Sequence, residues 1–278
     1  MSDTIKAVYF SPSGATKKVT NYLADCLAEN LGLPKQEYDF TLPEAREQTL
    51  NFSKEDLVVF GMPVYAGRVP NKILPYVQSQ IKGNGCVAVP VVVYGNRNFD
   101  DALVELRNEL FQNGCQILAA AAVVARHCFS DQIGADRPDE NDLLKIKEFA
   151  ENVAEKWSHA TEKEGLSYLD LPGTNPPEKY YTPKGTDGKP AVFLKAVPVV
   201  DEERCIGCGI CGKMCPMGSI HVDKTTKRPV IDGICIKCQA CVLCCDVEAI
   251  NIVHPAFLSH KQMLEENFME RKEPEFFL

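Results

Sequence analysis

The sequence predicts an α/β protein, a doubly wound parallel sheet of five strands, joined to a small α+β module that holds metal. Two observations carry this. Over residues 1–164, short apolar runs alternate with amphipathic stretches of helical period, the pattern of parallel strands and crossover helices. Nine of the chain's thirteen cysteines lie between residues 205 and 245, and eight of them fall into two runs of one spacing.

The elements are expected in this order. Lys6–Phe10 is the first strand, followed by a Ser/Pro/Gly loop and a helix from Ala15 to Asn30. Gln36–Phe40 is a short second strand, and Leu57–Gly61 the third, with a helix near Pro70–Lys82. The fourth lies within Cys86–Tyr94, where Pro90 implies a local bulge because a central strand rarely tolerates proline. A helix over Phe99–Asn113, a strand over Gln116–Ala125 and a helix capped by Asp139 and ending near His159 complete the domain. Residues 165–195 hold most of the chain's Pro/Gly punctuation and read as a linker, partly ordered by Tyr180, Tyr181 and Phe193. Residues 196–255 form the cysteine module. Residues 256–278 are a short tail helix whose apolar end, Phe276-Phe277-Leu278, is expected to pack on its own protein.

Composition narrows the function classes. With 45% hydrophobic and 24% charged residues, the chain can bury a normal core. A net charge of −8 and the lack of a basic stripe argue against nucleic-acid partners. Met1–Lys6 leads into the apolar run Ala7–Phe10 with no export pattern, and the longest apolar run, Ile117–Ala125, is too short for a bilayer. A cytoplasmic location without membrane insertion is expected. In that setting dense cysteines favour metal over disulfides, whereas Cys26, Cys86, Cys115 and Cys128 sit among apolar neighbours and read as buried free thiols.

The first cysteine run is Cys205-x-x-Cys208-x-x-Cys211-x-x-x-Cys215-Pro216. Thirty residues later comes Cys235-x-x-Cys238-x-x-Cys241-x-x-x-Cys245. Apolar positions repeat at the same offset: Ile206 with Ile236, Ile220 with Ile250, Val222 with Ile252. Zinc fits poorly, since it usually takes two CxxC pairs divided by a longer spacer. The spacing is that of two-cluster bacterial ferredoxins, and the module resembles them. That resemblance implies two [4Fe–4S] clusters, with the fourth cysteine of each run crossing to the other cluster. One would take Cys205, Cys208, Cys211 and Cys245; the other Cys235, Cys238, Cys241 and Cys215. Two departures stand out. Asp246 replaces the proline expected after Cys245, and Cys244 is an adjacent competitor.

In the first domain, Ser11-Pro-Ser13-Gly14-Ala15-Thr16-Lys17 joins a strand to a helix. It is neither a Walker A loop nor G-x-G-x-x-G. Taken alone it fits a phosphate site at a helix N-terminus and a plain capped helix equally. Pro63-Val64-Tyr65-Ala66-Gly67-Arg68 follows the third strand and Tyr94-Gly95-Asn96-Arg97 the fourth. With these loops the domain resembles the flavodoxin family, whose phosphate loop has the form [ST]-x-[ST]-G-x-T. The resemblance implies FMN, its phosphate on residues 11–17 and its ring between the other two loops, with Tyr65 or Tyr94 as stacking candidates.

The whole chain resembles the flavodoxin–ferredoxin fusions of anaerobic bacteria and archaea. This implies an electron carrier between clusters and FMN that interconverts one- and two-electron transfer, with redox proteins such as ferredoxin-dependent donors or acceptors as partners. The alternative is a flavin-dependent reductase of a small molecule, fed by the clusters. No general acid stands beside the flavin loops and no nicotinamide fingerprint is present, so no catalytic residue is assigned and the carrier is favoured.

Overall fold

The computed structural model of the chain describes residues 3–159 and 169–278. The expected boundary between first domain and linker, at 164/165, lies outside the described residues. In chain order come β1 (Thr4–Tyr9), α1 (Ala15–Leu31), β2 (Lys35–Asp39), β3 (Leu50–Asn51), β4 (Asp56–Pro63), α2 (Leu74–Gln80) and β5 (Ile81–Lys82). Then follow β6 (Val87–Tyr94), α3 (Ala102–Gln112), β7 (Gln116–Ile117), β8 (Ala120–Val124) and α4 (Glu140–His159). The C-terminal part adds β9 (Val199–Val200), α5 (Ile210–Lys213), β10 (Ile220–Val222), β11 (Pro229–Ile231), α6 (Ala240–Leu243), β12 (Ile250–Asn251), α7 (Pro255–Asn267) and β13 (Glu275–Phe277).

The main sheet runs β2-β1-β4-β6-β8, all parallel, and β13 adds an antiparallel edge beyond β8. The five parallel strands thus stand in the order 2-1-3-4-5, the flavodoxin-like order. Alternation of side chains splits the core. Val58, Phe60 and Met62 of β4 face α2 and α3 through Val77, Leu103 and Leu106. Leu57 and Val59 face α1 and α4 through Val19, Leu23, Phe149 and Val153. Both faces are covered, so β6 is apolar throughout and β4 is apolar after Asp56, as buried parallel strands require.

Three expectations change in detail. Pro90 sits within a continuous β6, paired with Phe60 of β4, and the bulge lies on its neighbour. Ala88 pairs with Ile117 and Val91 with Ala121, so Leu118–Ala120 oppose only Val89 and Pro90. The ladder breaks where proline has no N–H to give. This also divides the expected fifth strand into β7 and β8. The second helix starts at Leu74 because Pro70–Ile73 closes a separate turn (Ile73 N to Pro70 O, 2.8 Å). Asp139 does cap α4: its carboxylate accepts the Asp142 N–H at 3.0 Å, and the Asp142 carboxylate accepts the Asp139 N–H at 2.9 Å.

The tail packs on its own protein through an added strand. Phe276 of β13 stacks on Phe149 of α4 at 4.7 Å, and Phe277 packs on the opposite core. In the cysteine module the duplication is visible in the backbone. Short helices α5 and α6 lie thirty residues apart, and left-handed φ angles recur at 207/237, 209/239 and 218/248. Glycine fills all three sites in the first half; Lys237, Gln239 and Glu248 fill them in the second.

Candidate cluster and flavin sites

Each α5 or α6 turn presents three cysteines from a tight CxxCxxC loop, and the chain then doubles back to bring a fourth from the other half. Cys215, Cys235, Cys238 and Cys241 line one cavity, together with Ile220, Ile231 and Ile252. Cys205, Cys208, Cys211, Cys244 and Cys245 line a second, together with Val200, Ile206 and Ile250. The repeated residues Ile220 and Ile250 pack with Cys211, Cys215, Cys241 and Cys245 in one small core between the two cavities.

The donor chemistry fits a cationic cluster core. Burial pushes the Cys238 thiol up, and pushes Cys241 up to about 12, with the neighbouring sulfurs of Cys235 and Cys215 adding to it. Such thiols ionise only beside a positive charge. Backbone N–H groups reach the sulfurs as well. Cys215 Sγ accepts from Ser219 N at 3.3 Å and Cys235 Sγ from Lys237 N at 3.4 Å. Cys245 Sγ accepts from Ala249 N at 3.2 Å, which repeats the Cys215 contact at an offset of thirty. Cys244 Sγ points instead to the Cys241 carbonyl, 3.5 Å away. Both cysteines of the adjacent pair border the second cavity, but only Cys245 has the symmetric contact.

The three loops expected to hold flavin leave the C-terminal ends of the adjacent strands β1, β4 and β6. Gly14, at φ 85°, starts α1 without a side-chain cap, which leaves first-turn amides open to an anion. Ser11 braces the loop by accepting the Lys17 N–H on its hydroxyl at 2.8 Å. Lys17 itself turns away: its ammonium pairs with Glu37 at 3.1 Å and lies over the Tyr9 ring. Thr16 is buried beneath Gly61, where a Cβ would strike α1.

In the second loop, Tyr65–Arg68 closes a tight turn with Ala66 and Gly67 at φ 49° and 78°. Arg68 grips Glu105 with two nitrogens at 2.8 and 2.5 Å and lies under Tyr180. In the third loop, Tyr94 is buried against Phe99 as a core residue, which removes it as a stacking candidate. Gly95 is required because a Cβ there would lie 2.5 Å from the His127 ring. Arg97 pairs with Asp100 and lies 4.1 Å from the Tyr181 ring centre. Asn96 binds the tail, donating to the Phe268 and Glu270 carbonyls at 2.7 and 2.8 Å. Of the residues expected at flavin, Lys17, Arg68, Tyr94, Asn96 and Arg97 thus have structural partners that the sequence did not disclose.

Tyr65 is where the two parts of the molecule meet. Burial pushes its hydroxyl well up, and the Cys238, Cys128 and Cys235 sulfurs reinforce this. Tyr65, His127 and Cys128 are each partly exposed. Desolvation, with His260 and Arg97 nearby, lowers His127 to about 4 and keeps it neutral. Cys128, expected as a buried free thiol, is partly exposed just past the fifth strand.

A 4Fe-4S binding domain model matches residues 198–221, which contain the first cysteine run. An uncharacterized ferredoxin of Methanocaldococcus jannaschii is 38% identical over 61 residues, covering 22% of this chain and 33% of that protein. A ferredoxin of Pyrobaculum islandicum is 36% identical over 53 residues, covering 19% of this chain and 50% of that one. The chain therefore spans a third to a half of these relatives. A solved flavodoxin from the domain Archaea overlaps 56% of this chain and 99% of its own, at 17% identity and a TM-score of 0.39. At that similarity it is the strand order that defines the fold. The chain is a flavodoxin-like α/β domain fused to a ferredoxin-like 4Fe-4S module. No helix among the described residues is long and apolar enough to cross a membrane.

Proposed function

We propose that this protein is an electron-transfer flavo-iron–sulfur protein that passes electrons between two [4Fe–4S] clusters and FMN and so joins one-electron to two-electron chemistry. The observation that carries this is the gathering of cysteines from both runs around two cavities, Cys215 with Cys235, Cys238 and Cys241 in one, and Cys244 and Cys245 with Cys205, Cys208 and Cys211 in the other. In this reading Cys205, Cys208, Cys211 and Cys245 hold one cluster, and Cys215, Cys235, Cys238 and Cys241 the other. Ser11, Ser13, Gly14, Ala15 and Thr16 receive the flavin phosphate, and Pro63–Gly67 and Gly95 flank the ring. Redox proteins are the partners, and the cytoplasm is the expected location.

Anaerobic purification with assay of iron, sulfide and flavin tests the reading. It predicts about eight irons and eight acid-labile sulfides per chain, with FMN released on denaturation. Zinc without sulfide would sink the cluster assignment. Thr16→Glu sets a negative charge against the phosphate and should abolish flavin binding while leaving iron unchanged. Ser13→Glu, at an exposed position, makes the same test without disturbing the packing of Thr16. Full flavin content in both variants would mean that the phosphate lies elsewhere.

A further inference from the structure

The sequence repeat makes the two cysteine quartets look equivalent; their surroundings are not. Around the second run, Ile236 packs on the flavodoxin-like core, and so does Met217, two residues past Cys215. Arg46 donates to the Pro216 carbonyl. Gly218 approaches Pro43 so closely that a Cβ would lie 3.5 Å from its ring. Lys237 donates to the linker carbonyl of Leu194. Cys238 and Cys241 are each only 8% exposed. Positions of the first run are more open to solvent. Ile206, the counterpart of Ile236, is 71% exposed, Cys208 is exposed, and Ile210 and Met214 also stand out to solvent.

We propose that the two quartets differ in role: Cys215, Cys235, Cys238 and Cys241 form the inner site, which serves the flavin held by the flavodoxin-like domain, and Cys205, Cys208, Cys211 and Cys245 form the outer site, through which electrons are exchanged one at a time with external carriers. This rests on the function proposed above. Ile236 and Met217, which pack on the flavodoxin-like core, mark the inner junction. No bond is made or broken; one electron crosses the outer face, and an external one-electron carrier is its source or sink. The symmetric backbone supplies two similar sockets, and docking against one sheet edge makes one private and the other public.

The test uses reduced holoprotein and a neutral gadolinium chelate as a solvent-borne relaxer. Cys208→Ser and Cys238→Ser assign the two paramagnetic signals. The chelate should speed relaxation of the signal altered in Cys208→Ser and leave the signal altered in Cys238→Ser unchanged. Equal relaxation, or the reverse, overturns the inference. The matched pair Ile206→Lys and Ile236→Lys gives a second reading that needs no ligand loss. Ile236→Lys should slow the passage of electrons to flavin within the chain and change flavin fluorescence. Ile206→Lys should leave both unaltered and slow reduction by an external one-electron protein. The opposite pattern overturns the inference. Wild-type protein lacking flavin or iron under anaerobic conditions overturns the function itself, a result separable from either of these.

Discussion

Cys244 and Cys245 are neighbours in sequence, and what separates them is the partner of each sulfur. Cys245 takes the Ala249 N–H, as Cys215 takes that of Ser219, while Cys244 leans on a carbonyl, which can only accept. Cys245→Ser is therefore expected to lose one iron site and move that cluster towards a three-iron form, whereas Cys244→Ser retains both clusters. Iron counts and electron paramagnetic resonance check this, and the reverse result would put the register wrong by one residue. A second expectation concerns Glu248, held at φ 50° where the first half has Gly218. A side chain there costs about 1 kcal/mol in backbone strain, and its ion pair with Arg204 is exposed and worth little. Glu248→Gly should slow the bleaching of cluster absorbance in denaturant; faster bleaching would mean that the ion pair outweighs the strain. The two cysteine runs were legible because ligand spacing is a local pattern, whereas their crossed pairing is what the resemblance to ferredoxins implies. The flavin loops were readable only as loops. Apart from the local Arg97–Asp100 pair, the partners of Arg68, Asn96 and Arg97 come from residues 37 to 176 positions away, and no local pattern encodes those.

At the level of elements, the sheet order was legible because β4 and β6 are long apolar runs, which parallel burial on both faces demands, and β1 carries only Lys6 as a charged interruption. The edge strand β13 was not. Its three residues carry no period, and its strand character comes wholly from pairing with β8. Two results should follow from it. Phe276→Ala removes the stack on Phe149 and should destabilise the protein by about 2 kcal/mol, less than a fully buried phenylalanine would cost. A shift in the denaturant midpoint measures this; no shift would mean that the strand is held by its backbone alone. The tail latch is also acid-sensitive. The Arg271 guanidinium, then the Asp142 N–H, hold the Asp139 carboxyl below the usual carboxylate range. A depressed carboxylate stabilises the folded state above its ordinary pKa, and that stabilisation fades as pH falls through the folded value. Protease nicking of the tail should rise below about pH 4, and Arg271→Ala should show the same nicking at neutral pH.

Across the whole molecule, the flavodoxin-like part is not a module that ends where the linker begins. The linker lies along its second loop, with Tyr181 N donating to Ala66 O at 2.8 Å, and the tail returns to its sheet beside Asn96. Asn96→Ala should therefore loosen both parts together, with flavin and cluster absorbance lost in one transition at lower denaturant. Two separated transitions would show that the parts unfold independently. The return of the chain through β13 has a further consequence. The cysteine module is anchored at both of its ends, like a bridge deck on two piers, so it has no free arm on which to swing. Thickening the solvent with glycerol or sucrose should slow its exchange with outside proteins, which must diffuse to it. The internal passage should keep its pace, because its distance is set by the architecture and not by encounter.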